Sequence, residues 1–200
     1  MKNLLNAVCV CLLCSLLSTA SYGVELANAT GKLIPASPDV KVLKTRDADA
    51  IRLTIQDAAG TNLFQSEVLG SEEKLFTLDG KPTSLALRDL TGDGVPEVVT
   101  SAFYGPRASG LYVFTWDAAA KKFVPVPCTY PKFDLTRDLL VSDVQRDDGS
   151  DMVIGADNAV TMLGLVYPEK EGDEPTKAAY TFTFEKDRFV HRNTEPIPTK

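Results

Sequence analysis

Asp89-Leu90-Thr91-Gly92-Asp93-Gly94-Val95-Pro96-Glu97 runs directly into Val98-Val99, and the reading of this stretch decides the fold. Oxygen-bearing side chains stand at its first, third, fifth and ninth positions. Calcium takes six to eight oxygen ligands, and a tight loop with acids at odd positions can fold them around one ion. Gly94, just after the third of these residues, permits the sharp backbone reversal such a loop requires. Val95 offers only its backbone carbonyl, so its apolar side chain does no harm. The loop is not an EF-hand, because Thr100 stands where that motif needs a bidentate Glu and the flanks read as strands. A plain hairpin turn is the alternative, since Gly-Asp-Gly favours turns. Against it, Asp89, Asp93 and Glu97 would repel one another without a cation. The expected calcium ligands are therefore Asp89, Thr91, Asp93, Val95 through its carbonyl, and Glu97.

Outward from this loop the pattern is β. Ile51, Leu53 and Ile55 alternate with Arg52, Thr54 and Gln56, the period of a strand with one wet face. Asp57-Ala58-Ala59-Gly60 reads as a turn, and Leu63-Phe64 opens the returning strand. Tyr180, Phe182 and Phe184 alternate with Thr181 and Thr183 before a turn at Glu185-Lys186-Asp187. In the middle, Leu111 to Trp116 and most of Val160 to Tyr167 are apolar on both alternating sets. Strands of that kind are covered on both faces. Ala118 to Ala120 reads as a turn before Lys122-Phe123-Val124. No helical period is sustained after the first twenty residues.

A second, degraded copy begins 54 residues after the first, at Asp143-Val144-Gln145-Arg146-Asp147-Asp148-Gly149-Ser150-Asp151, and leads into Met152-Val153-Ile154. Asp143, Gln145, Asp147 and Asp151 are its candidate metal ligands. Its glycine falls one place late and Arg146 puts a cation in the loop, so a surface turn is an equal reading.

The loop Asp-x-Thr-Gly-Asp-Gly-x-x-Glu before an apolar strand resembles the FG-GAP or VCBS repeat, the blade unit of integrin-α-like β-propellers, and the spacing of 54 is close to that family's repeat. The resemblance covers about a third of the chain. It implies an all-β protein of antiparallel four-stranded sheets, with calcium bound between adjacent strands of a blade at Asp89, Thr91, Asp93, Val95 and Glu97. A closed propeller needs at least four blades, and about 177 residues after the leader make room for about three. The expected architecture is therefore an incomplete β-propeller, or an oligomer that completes one. The Phe-Gly and Gly-Ala-Pro elements of full repeats are not clear.

The ends of the chain suggest export. Lys2, an apolar run from Leu4 to Leu17 and small residues from Ser18 to Gly23 form a three-part signal peptide over residues 1–23. Cleavage is open between Ala20, Gly23 and Ala29, and the run is shorter than a bilayer span, which argues against stable membrane insertion. Residues 24–38 read as a flexible lead-in, 39–192 as the β domain and 193–200 as a flexible tail. Periplasmic or secreted localisation follows. Cys9, Cys11 and Cys14 fall inside the leader, leaving Cys128, which reads as a small buried apolar residue.

One of the 21 basic residues and none of the 27 acidic ones lie in the leader, so the remainder carries a net charge of −7. That argues against nucleic acid or anionic lipid as partner and suits divalent cations or a basic protein. A lone His191 in a strand and acids at turn spacing give little support to catalysis. The favoured class is a calcium-binding protein-interaction module with calcium in a structural role. An inhibitor or immunity protein against a cell-wall hydrolase is the alternative, and a carbohydrate-active or glycan-binding protein the second. Tyr104 and Arg107, in the long, glycine-flanked loop Tyr104 to Gly110, are the candidate partner-binding residues, because both types are enriched at interface hot spots.

Overall fold

The computed structural model describes residues 23–130, 134–168 and 174–198. Among these there is no helix, and eighteen strands form three sheets. The first sheet is a meander of β1 (Val24–Gly31), β2 (Val40–Asp47), β3 (Ala50–Gln56) and β4 (Asn62–Gln65). Ile51, Leu53 and Ile55 are fully buried along β3, as their alternation requires. Asp57 closes the β3–β4 turn by accepting hydrogen bonds from the N–H groups of Ala59 and Thr61, and Gly60 supplies the positive φ of 83°.

The middle sheet is built on β8 (Leu85–Arg88), β9 (Glu97–Gly105), β10 (Ala108–Asp117) and β11 (Lys122–Pro125), again a consecutive antiparallel run. Two short strands share its edges: β5 (Glu72–Glu73) beside β9, and β14 (Leu140–Ser142) beside β10. In the third sheet β15 (Met152–Ile154), β16 (Val160–Val166), β17 (Thr176–Glu185) and β18 (Arg188–Pro196) repeat the consecutive pattern. It is extended on one side by β6 (Phe76–Leu78) and β7 (Lys81–Thr83), and on the other by β12 (Cys128–Tyr130) and β13 (Leu135–Arg137).

The middle sheet is the filling of a three-layer stack. Val99, Leu111 and Val113 enter a core shared with Met152, Met162 and Phe182 of the third sheet. Val98, Ala102 and Phe114 enter a second core with Val42, Ile51 and Leu53 of the first sheet. Successive side chains of a strand point to opposite faces, so β9 and β10 serve both cores, as their unbroken apolar runs predict. Cys128 is buried in the first of these cores, and burial pushes its thiol up to about 12.

Several expectations are corrected. The sheets have four, six and eight strands rather than four each, with two parallel contacts, β15–β6 and β12–β18. The all-β class with antiparallel sheets stands, and among the described residues no closed barrel or propeller forms. Residues 24–31 are not a flexible lead-in but strand β1. It pairs with β2, and Leu26, Ala27 and Ala29 pack on the core. A cleavage after Ala29 would remove most of this strand. Residues 193–196 are likewise strand, because Ala178–Thr181 offers a partner edge, and Ile197 donates its N–H to the Lys177 carbonyl. The segment Tyr104 to Gly110 is no long loop. Gly105 pairs with Ala108 across a tight Pro106-Arg107 turn. Val166 and Tyr167 are exposed, so β16 is covered on both faces only over its first half. Residues 1–22, on which the reading of a leader rests, and Thr199 and Lys200 lie outside the described residues.

Candidate metal loop

The loop from Asp89 to Glu97 joins β8 to β9. It is curled by its own first residue: Gly92 and Gly94 donate their N–H groups to Asp89 Oδ1 and Oδ2 at 2.6 and 2.9 Å. Both glycines hold positive φ, 79° and 83°, which lets the backbone turn those amides inward. Asp93 Oδ1 accepts from the Val95 N–H at 2.8 Å. Outside the loop, the Asn158 amide donates to the Asp89 carbonyl at 2.7 Å and ties the loop to the third sheet.

Glu97 behaves differently. It is fully buried at the start of β9, and four donors converge on its carboxylate. Oε2 accepts from the Leu90 and Thr91 N–H groups at 2.8 and 3.2 Å. Oε1 accepts from the Thr91 and Thr115 hydroxyls at 3.2 and 3.1 Å. A carboxylate has about four lone-pair sites, so this one is saturated. Burial lifts its carboxyl above the ordinary value against the pull of these donors. Glu97 is thus the internal clasp of the loop and has no lone pair left for a metal ion. The correction was within reach of the sequence: Glu97 shares the inward face with Val99 at period two.

The remaining residues test differently. Asp89 uses two of its four lone-pair sites and Asp93 one, and the Thr91 hydroxyl oxygen keeps its own lone pairs while donating to Glu97. Thr91 and Asp93 also line a cleft of about 470 Å³ with Thr115, Asp117, Phe184 and Asp187. Asp89, Thr91, Asp93 and the Val95 carbonyl are thus the oxygen groups of the loop with acceptor capacity to spare. Among the described residues no three His, Cys, Asp or Glu side chains stand close enough to share an ion.

The second loop does not gather all four of its candidates. Asp143 Oδ1 accepts from the Leu165 N–H of β16, and the Gln145 amide donates to the Pro106 carbonyl. Gln145 and Asp147 line one cleft with Glu72 and Phe103. Asp151 is buried and paired with Lys74 at 2.7 Å. Asp148, which stands off the odd-numbered spacing, accepts from the Ser150 N–H at 2.9 Å.

Tyr104 is 42% exposed and lines a cleft of about 420 Å³ with Asp49, Val68, Tyr112, Arg137 and Leu139, while Arg107 stands exposed at the hairpin tip. His191 lies in β18, its ring stacked on Tyr130 and its Nε2 against the Asn193 carbonyl and the Thr194 hydroxyl.

Comparison of the chain with protein-family models, curated proteins and solved structures returned no match.

Proposed function

We propose that the protein is an exported, calcium-braced interaction module, built as an incomplete propeller of three blade-like meanders. The observation that carries the calcium reading is the state of the Asp89–Glu97 loop. Its backbone is curled in advance by Asp89 and clasped by Glu97, while Asp89, Thr91 and Asp93 retain free lone pairs. The ion would be held by Asp89, Thr91, Asp93 and the Val95 carbonyl, with water completing its shell. When bound, it neutralises two carboxylates and fixes the junction of β8 and β9. With so few protein ligands the affinity belongs in the weak range of extracellular modules, about 10⁻⁴–10⁻³ M. The blade reading is supported by the three consecutive four-strand runs, and by the entry of both acidic loops into the strands of successive meanders. The exposed Tyr104 and its cleft support protein binding, with Arg107 at the adjacent turn. The FG-GAP-like spacing and the leader-like N-terminus support the family resemblance and export.

The test is thermal unfolding with calcium and with a chelator. A ligand that binds only the folded state stabilises it by mass action. Calcium at a hundredfold over its dissociation constant should raise Tm by roughly 5–10 °C for a chain of this size. Asp93→Asn should abolish the difference. Equal midpoints with calcium and chelator would overturn the calcium reading.

A further inference from the structure

The second acidic loop has a cation already, and it comes from the chain itself. Lys74 follows β5 and is buried, yet its ammonium donates to Asp151 Oδ1 at 2.7 Å and to the backbone carbonyl of Arg146. The ring of Phe103 covers it, with the centroid 5.2 Å from Nζ. A carboxylate, a main-chain carbonyl and an aromatic face are what a buried cation requires in place of water. The first two are also the ligand types that calcium uses.

The segment that carries Lys74 is shaped to this loop. The Thr77 hydroxyl donates to the Gly149 carbonyl at 3.2 Å, and β6, which begins at Phe76, pairs with β15 at the loop's exit. Gly149 holds φ 75°, and a Cβ there would meet the Leu75 and Phe76 backbone at 2.9 and 3.0 Å. The loop is therefore pressed against residues 74–77 along its second half. One acceptor is left over. Asp151 Oδ2 is buried and has no hydrogen-bond partner among the described residues. An orphaned buried carboxylate oxygen beside a bound cation marks a site with more acceptor capacity than the ammonium uses.

We infer that the loop Asp143–Asp151 is a cation site occupied by the Lys74 ammonium, so that it takes no divalent metal in the native chain. Removing the lysine side chain frees Asp151 and the Arg146 carbonyl for an added small cation. The two acidic loops then differ in kind: one takes its cation from solution, the other holds a covalently attached one. The expected total of one calcium per chain rests on the reading of the first loop. The exclusion of metal from the second loop does not.

Calorimetric titration with calcium alone separates the two. The native chain should take up one equivalent, and Lys74→Ala one more. In chelator, Lys74→Ala should melt about 10 °C below the native chain, since a buried carboxylate has lost its partner. Calcium should then raise the Tm of Lys74→Ala by more than it raises that of the native chain. A folded Lys74→Ala that binds no more calcium than the native chain would overturn the inference. Asp151→Asn in the native chain keeps the question decidable if Lys74→Ala does not fold. It should leave calcium uptake unchanged, and loss of one equivalent would overturn the inference. Failure of the native chain to bind any calcium would remove the first-loop reading, while the gain in Lys74→Ala would still support the second.

Discussion

Glu97 carries the argument at the scale of single residues. Four donors meet at its carboxylate, one of them buried and three half-buried, and two of them are backbone amides of the loop it closes. Removing a buried acceptor leaves each donor with its desolvation cost. Glu97→Ala should therefore destabilise the fold by about 2–3 kcal/mol, the upper part of the range for leaving a buried donor unsatisfied. Denaturant unfolding in chelator checks this, and a loss below about 1 kcal/mol would mean that the clasp is not structural. Gln at the same position restores size but turns a donor toward the Thr hydroxyls, so only partial recovery is expected. The sequence announced an acid at the loop's ninth position, and strand alternation from Val99 puts it indoors. What alternation could not announce were its partners, Thr115 from β10 and the amides across the loop. Lys44 is similar, following Val40 and Val42 on the buried face of β2. Lys74 gave no such sign, because its partner Asp151 lies 77 positions away.

At the scale of elements, the strands with strong alternation or unbroken apolar runs were legible, and those at sheet margins were not. β10 announced that it faces two cores. β1 and the end of β18 did not announce themselves, because small and polar residues at a sheet edge share the composition of a loop. Contact between elements is governed by residues with no side chain to read. Gly70 bridges to Ile51 of β3, and the next residue, Ser71, donates its N–H to the Phe103 carbonyl of β9 at 2.8 Å. A Cβ at Gly70 would fall 2.0 Å from that carbonyl oxygen. Backbone cannot rotate out of the way as a side chain can, so Gly70→Ala must push the first sheet from the middle one. A loss of about 2–3 kcal/mol is expected, near the upper range for overpacking. Unfolding by urea measures it, and a neutral effect would show that the sheets shift apart freely.

For the whole molecule, a buried amine links the layers. Lys44 of the first sheet donates to the carbonyls of Ser84 and Ser101 at 3.2 and 2.7 Å, with Glu73 Oε1 at 3.7 Å. Burial pulls its ammonium down to about 8, against the raising effect of Glu73. The unfolded chain keeps this proton up to its ordinary value of 10.5, whereas the folded chain releases it near 8. Between these values the unfolded state binds more protons, so the Lys44 contribution to stability rises with pH. The whole shift corresponds to about 3 kcal/mol. Burial raises Tyr112 and Cys128 to about 12, which lowers stability at the alkaline end, so the comparison must be differential. The stability of the native chain minus that of Lys44→Met should increase between about pH 7.5 and pH 10. A flat difference would refute the assignment.

The placement of β6 and β7 has a consequence for how the molecule comes apart. Residues 76–83 belong to the third sheet, although residues 85–88 immediately after them belong to the middle one. The chain thus visits the last layer before it has built the second. No single cut in the backbone can release the third sheet whole, and neither the middle nor the third layer can peel away without drawing out a strand sewn into the other. Arrays of stacked repeats unravel from their ends because each unit touches only its neighbours. Here the stitching couples the middle and third layers, which are expected to melt together.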